Sequence, residues 1–340
     1  MPINVQSPAP AANSLGGWLE ACVFVVAIGA LSLTYAVGHT FGAHPIAFIL
    51  YAMLASAVAT LALTGLGDNA LAIALNPMSW LVGSSIILTE VFYYAALAYV
   101  PPAHGNLVLR IGIPIAMVAG WALFGRRPAP LALLGGVVIT AATAFVIAIT
   151  APDPRWPMTA FGVLAAVFMV VRGFASEFHR WNRAAHTVRE KLRVTGVLLL
   201  VTSLLSLTLA ALAAGAIAMA ILPPLRFIPS AAQMLHLPTI LLGSLVGGAI
   251  LAIMNYLNFS SVVKITTENL TAMMAFSPVT TWAFQEIGVA LGLIAVQRPE
   301  PRLLMAMATF IASVLLIFWA GQRAGRSRVG SRSGTSRRSQ

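Results

Sequence analysis

The sequence predicts an all-α polytopic membrane protein, with ten transmembrane helices forming two inverted five-helix repeats. Three observations lead there. Of the 340 residues, 59% are hydrophobic and only 9% are charged, and the mean hydropathy is +0.90. Soluble domains run at about 45–50% apolar and about 25% charged. Apolar runs of about 20 residues, long enough to span a bilayer, recur along the chain. Lysine and arginine collect in alternate loops, which is how membrane topology is encoded.

The runs lie at roughly 18–38, 44–64, 79–100, 103–124, 129–150, 156–175, 194–221, 238–263, 268–295 and 301–320. The second begins straight after the short turn "GHTFGAHP", and only "VPPAH" separates the third from the fourth. The seventh and eighth are long, which implies tilt or continuation beyond the bilayer.

Ten spans put both termini on one side. That side receives Arg126, Arg127, Arg180, Arg183, Arg189, Lys191, Arg193, Lys264 and the tail arginines Arg323, Arg326, Arg328, Arg332, Arg337 and Arg338. Arg172, near the inner end of the sixth span, is expected to snorkel to the same surface. The opposite side holds Arg155, Arg226, Arg298 and Arg302. The basic side is cytoplasmic. The expectation is a multi-pass protein of a bacterial-type inner membrane with both termini in the cytoplasm.

The domain reading follows. Residues 1–17 form a disordered N-terminus with no basic n-region, so a cleaved signal peptide is not expected. Residues 18–150 and 151–320 form the two repeats, the second with a basic loop at 176–193. Residues 321–340, rich in Gly, Ser and Arg, form a disordered tail attracted to anionic lipid headgroups. The net charge of +11 sits in loops and tail rather than on a folded face, which excludes a nucleic-acid partner. Cys22 is the single cysteine, so no intramolecular disulfide or cysteine-based metal site arises. No cofactor is expected; the partners are a small-molecule substrate and membrane lipids, with a homodimer left open.

The repeat shows when "YVPPAHGNLVLRIGIPIAMV" (99–118) is set above "VKITTENLTAMMAFSPVTTW" (263–282): Pro114 and Pro278 align, each after a short polar break. An odd-numbered unit, once duplicated, inserts its two copies in opposite senses. With "ALAYVPPAHGNLVLRIGIPIAMVAGWALFGRRPAP" and "TTENLTAMMAFSPVTTWAF", the chain resembles the drug/metabolite transporter superfamily, of the EamA type. That resemblance implies a ten-helix transporter over about residues 20–320. Two positions depart from it: Tyr51 stands where the family often has arginine, and Gly125-Arg126-Arg127 stands where Gly-Glu is common.

Ionisable groups inside the spans point to a site. At about 1.5 Å per residue, Glu90 lies about 15 Å below the outer boundary, Arg110 about 10 Å and Glu286 about 13 Å. Each costs roughly 2.5–3.5 kcal/mol facing lipid, so the three are expected to face one another or a wet cavity. In the functional reading Arg110 holds a carboxylate or other acceptor on the substrate, and Glu90 or Glu286 binds a proton. The bland alternative is a buried Glu90–Arg110 salt bridge pinning two helices. Tyr94, one turn from Glu90, joins Tyr93, Asn106, Asn255, Asn258 and Gln285 as hydrogen-bonding wall residues. Trp282, Phe276, Met254, Met273 and Met274 offer an adaptable apolar wall. Lys264 and Glu268 read as a surface pair.

These residues favour a secondary transporter of small organic metabolites (amino-acid-like, aromatic or drug-like), an exporter working by alternating access with proton coupling. No GxxxxGK[ST] stretch is present. A lipid-modifying membrane enzyme would need clustered interfacial acids or histidines; Glu177, His179, His186 and Glu190 lack a metal-ligand pattern. A permease subunit needing a partner at the 176–193 loop is the remaining alternative.

Overall fold

The structure, a computed structural model, describes residues 15–223, 227–296 and 300–335, with side chains to residue 320. Most of the expected disordered N-terminus, and Arg226, Arg298, Arg337 and Arg338, lie outside those residues. Among the described residues every regular element is helical. The long helices are α1 Leu15–Thr40, α2 Pro45–Thr64, α3 Pro77–Ala96, α4 Pro102–Phe124, α5 Pro130–Ile149, α6 Pro152–Phe178, α7 Val188–Ala218, α8 Leu237–Ile265, α9 267–290 and α10 Pro301–Thr335.

Eight of these, all but α3 and α9, are long and apolar enough to cross a membrane. The other two are diluted by polar residues that end up buried, including Glu90 and Thr89 in α3 and Ser277, Thr281 and Gln285 in α9. The exterior carries leucine and valine in the open: Val137, Leu212 and Leu245 are each 65–68% exposed. Such a continuous apolar surface suits lipid rather than water. The chain is an α-helical multi-pass membrane protein.

Local chemistry explains where the helices begin and stop. Prolines occupy the first turns of α2 to α6, where a missing N–H costs nothing. Thr187 and Glu190 close a capping box at the start of α7. Gly125, at φ 65, ends α4 in the left-handed region that glycine tolerates. α10 continues helically to Thr335, into the tail expected to be unstructured. Propagating an existing helix adds one hydrogen bond per residue fixed, without a new nucleus.

Two helices are broken at matching places. α4 tightens to a 3-10 turn at Leu109–Ile111, and α9 does so at Met274–Phe276. Pro114 and Pro278 follow, and each lacks the N–H that would bond the carbonyl four residues back. The carbonyls that lose this partner belong to Arg110 and Met274, and they accept instead from the N–H groups of Gly112 and Ser277. α8 contains a π-helical stretch, Leu242–Gly247. Gly248, just beyond it, lets α2 approach: a Cβ there would stand 2.8 Å from that of Ala55.

α3 packs on α6, α1 on α8 and α9, α2 on α7 and α8, α5 on α10, and α4 on α6 and α9. Trp18 near the start of α1 meets Phe318 in α10, ring centroids 5.3 Å apart, so these ends share a face, called here the tail face. Lys264 at the end of α8 pairs with Glu20 there. On the opposite, far face His104 bonds Thr150 at 2.8 Å, joining the start of α4 to the end of α5.

Candidate functional site

Five helices bring polar side chains to the middle of the bundle, and a sixth adds an apolar one. α3 supplies Glu90 and Tyr93, three residues apart on one face. α1 supplies Ser32 and Tyr35 at the same spacing, α4 Asn106 and Arg110, α6 Arg172, and α9 Ser277 and Thr281. α8 adds Met254. All of them are buried.

Glu90 is the one carboxylate of this group. Its Oε1 accepts from Arg172 at 3.3 Å, and its Oε2 accepts from the Tyr35 hydroxyl at 2.9 Å. The Glu90–Arg110 salt bridge of the bland alternative is therefore not formed, and Glu90 pairs with Arg172 instead. The expected snorkelling of Arg172 is corrected as well: its side chain is only 4% exposed. α6 runs to Phe178 rather than 175, which leaves Arg172 about 9 Å inside the helix end.

Arg110 makes different bonds. Its Nε donates to the Asn106 carbonyl at 3.0 Å and one terminal nitrogen to Asn106 Oδ1 at 2.8 Å. The other terminal nitrogen donates to the Met274 carbonyl, which also accepts from the Ser277 N–H. Asn106 is the hub between halves of the chain. Its amide donates to Tyr93 Oη at 3.1 Å and Thr281 Oγ1 at 2.8 Å, while Oδ1 also accepts from the Ser277 hydroxyl. Tyr93 Oη lies 2.8 Å from Ser32 Oγ, which closes the ring of bonds onto α1.

These residues surround a small central cavity of about 30 Å³, lined by Glu90, Tyr93, Arg110 and Arg172 and by an apolar wall that includes Phe24, Met169, Met254 and Met274. A larger pocket of about 260 Å³ opens on the far face, lined by His104, Thr150, Trp282, Gln285 and Glu300 among apolar neighbours. Gln285, one turn beyond Thr281, is 3% exposed, and its Oε1 has no partner among the described residues. Along α4, Asn106 falls between Ala103 of the far pocket and Arg110 of the central cavity, and along α9 its partner Thr281 falls between Gln285 and Met274.

Several expected site residues fall elsewhere. Glu286 is exposed and accepts from Trp282 Nε1 at 3.0 Å. α9 ends at Ala290 rather than 295, and a step of one residue from buried Gln285 turns the side chain about 100° outward. Tyr94 stacks on Tyr35 at 4.6 Å and meets His39 and Phe48, so it builds an aromatic cluster while Tyr93 faces the cavity. Asn255 turns to Met53 at 4.0 Å, and neither it nor Asn258 is among the cavity-lining residues. Trp282 and Gln285 line the far pocket. Met273 packs against the main apolar core, and Phe276 and Trp282 pack against a second one.

The tail face is tied by charges. Arg126 donates to Glu268 Oε2 at 2.8 Å and binds both oxygens of Glu177, while Glu177 Oε2 accepts from the Thr267 hydroxyl at 2.6 Å. The expected Lys264–Glu268 pair is thus exchanged for Lys264–Glu20 and Arg126–Glu268. Burial works to lower the Arg126 pKa, but the hydrogen bonds and charges of Glu177 and Glu268 outweigh it and raise it. His179 Nδ1 accepts from the Asn182 N–H at 3.3 Å, so the proton sits on Nε2, facing Ser79 Oγ at 2.9 Å. Burial first and the Arg180 charge second push His179 down to about 4, which keeps it neutral.

Sequence reasoning missed Tyr35, Ser32, Ser277 and Thr281. The signal was present: pairs of hydroxyls at i,i+3 or i,i+4 inside otherwise apolar helices. No family model matches the chain, and no curated protein matches it. A solved structure described as "Crystal structure of protein" is similar, with 20% identity, 89% of this chain and 96% of that chain covered, and a TM-score of 0.55. At that identity the likeness is one of fold.

Proposed function

We propose that this chain is a secondary transporter of small organic metabolites, of the EamA type within the drug/metabolite transporter superfamily. It works by alternating access and exports its substrate from the cytoplasm, which lies at the tail face. Its spans number ten: the eight apolar helices together with α3 and α9, whose polar residues line the substrate route.

The observation that carries the reading is the polar centre itself. Buried groups from α1, α3, α4, α6 and α9 meet around a cavity at the two broken helices, where the backbone tightens to 3-10 turns. Irregular backbone at membrane depth is tolerated where it lines a cavity, and in transporters it holds substrate. A second support is the packing list. Exchanging each helix for the one five places on turns α1–α8 into α6–α3 and α1–α9 into α6–α4, and returns α2–α7, α5–α10 and α4–α9 to themselves. Two inverted five-helix halves produce that pattern.

In the mechanism, the ion pairs of Arg126 separate to open the tail face, and substrate enters from the cytoplasm and binds beside Arg110 and Glu90. Rocking of the halves then closes the tail face. The bonds of Asn106 to Thr281 and Ser277 break as the far face opens and substrate leaves. Glu90 carries the proton coupling: protonation releases Arg172 and changes the charge of the cavity. Glu286, on the exterior, has no part in it. Reconstituted protein is expected to move an organic solute across vesicles with no nucleotide present. Flux that appears only with an added ATPase subunit rejects the reading.

A further inference from the structure

The centre of the bundle is unbalanced in charge. Two arginines, Arg110 and Arg172, are buried there at 1% and 4% exposure. One carboxylate, Glu90, sits between the helices, and both its oxygens are occupied by Arg172 and Tyr35. Among the described residues no acid lies within ion-pair distance of Arg110: its three acceptors are the Asn106 carbonyl, the Asn106 amide oxygen and the Met274 carbonyl, all neutral. A guanidinium has five N–H donors, so two remain for a ligand.

Leaving a charge buried without a counter-ion is unfavourable by several kcal/mol, and a well-packed neutral side chain of similar volume holds two helices together at lower cost. A tie between α4 and α9 alone does not account for an arginine. A cation in the cavity would add to the excess charge. A zwitterion would need a free acid for its ammonium, and Glu90 has none to offer.

We propose that the central cavity binds a small organic monoanion, a carboxylate whose head pairs with Arg110 through those two free donors. The proposal names the substrate class of the transport site and rests on that reading only for its movement, not for its binding. The loaded cavity is neutral and the empty one carries one positive charge. The body of the ligand lies against Phe24, Met169, Met254 and Met274, whose unbranched thioethers adapt to different shapes. In this closed form the cavity of about 30 Å³ holds no more than a couple of water molecules. The carboxylate exchanges with the far pocket when the Asn106–Thr281 bond opens.

The test is thermal unfolding of the purified full chain at low ionic strength with acetate, benzoate, benzamide, benzylamine or chloride. Acetate or benzoate is expected to raise the midpoint by a few degrees, and the neutral amide, the amine and chloride to leave it unchanged. Arg110→Met is expected to keep or raise the unliganded midpoint and abolish the carboxylate shift, while Arg110→Lys retains part of it. An equal shift with benzamide or chloride, no shift with either carboxylate, or a full shift in Arg110→Met overturns the proposal. Vesicle flux separates the two readings. Carboxylate binding without flux rejects transport and keeps the anion site. Flux of an amine that Arg110→Met leaves intact rejects the anion site and keeps transport.

Discussion

The tail face and the membrane centre both hold arginines, acids and hydroxyls, yet they balance charge differently. At the tail face Arg126 meets two carboxylates and Lys264 a third, with side chains 10–33% exposed. In the centre there are two arginines to one glutamate, which pairs with Arg172 alone at 4–5% exposure on the paired side chains. Water screens a surplus at the face and cannot do so in the centre. A surplus tolerated where it is most unfavourable points to use, and a surplus at the rim points to little.

The comparison breaks first at Glu90. Glu90→Ala strands Arg172 as an unpaired buried charge, so it is expected to destabilise the protein by about 3–5 kcal/mol in chemical unfolding. The double change Glu90→Gln with Arg172→Met is expected to recover most of that. A single change that costs no more than a surface pair would show that water already reaches this layer.

His179 sharpens the contrast by pH. Its folded value of about 4 lies below the unfolded value of about 6.5, so the unfolded chain binds more protons between the two. The neutral ring contributes stability at pH 7 that is lost as pH falls from about 6.5 to about 4, at most about 3 kcal/mol. His179→Gln is expected to flatten that slope in thermal unfolding followed against pH.

Next in size is Asn106→Ala. It leaves Thr281, Ser277 and Tyr93 without a shared partner and is expected to cost about 1–3 kcal/mol. It also removes the barrier between the far pocket and the central cavity, which raises passive leak of small solutes in vesicles. The smallest effect belongs to the tail face. Arg126→Gln is expected to cost about 1 kcal/mol or less, shrinking further in salt, while altering the rate of flux. A loss as large as that of Glu90→Ala would erase the difference between the two regions.

How much of this the sequence carried depends on the kind of feature. Composition and apolar runs located most long helices to within a few residues, because lipid demands length and apolarity of a span; α7 begins six residues earlier than expected, α9 stops five earlier and α10 runs fifteen further. Asn106, Arg110 and Glu90 were legible as well, since polar groups in such helices have few places to go. Partners were not. Pairing Glu90 with Arg172 depends on where α6 ends, and a three-residue error moved Arg172 from the interior to the surface. Rotation was equally opaque: one residue separates cavity-facing Tyr93 from Tyr94, and buried Gln285 from exposed Glu286. Arg126 was readable as a loop charge, but its two carboxylates come from α6 and α9, far away in the chain.

The central claim is that the Asn106 layer opens in turn to each side of the membrane. Cys22 is the single cysteine, so Cys22→Ser with Ser277→Cys places one thiol in that layer. Reaction of this thiol with a membrane-impermeant reagent, added from either side of oriented vesicles, is the direct measurement. Modification from both sides is expected, slowed when a carboxylate occupies the cavity. A thiol that reacts from neither side, or from one side only, would mark the layer as a fixed packing seam and contradict it.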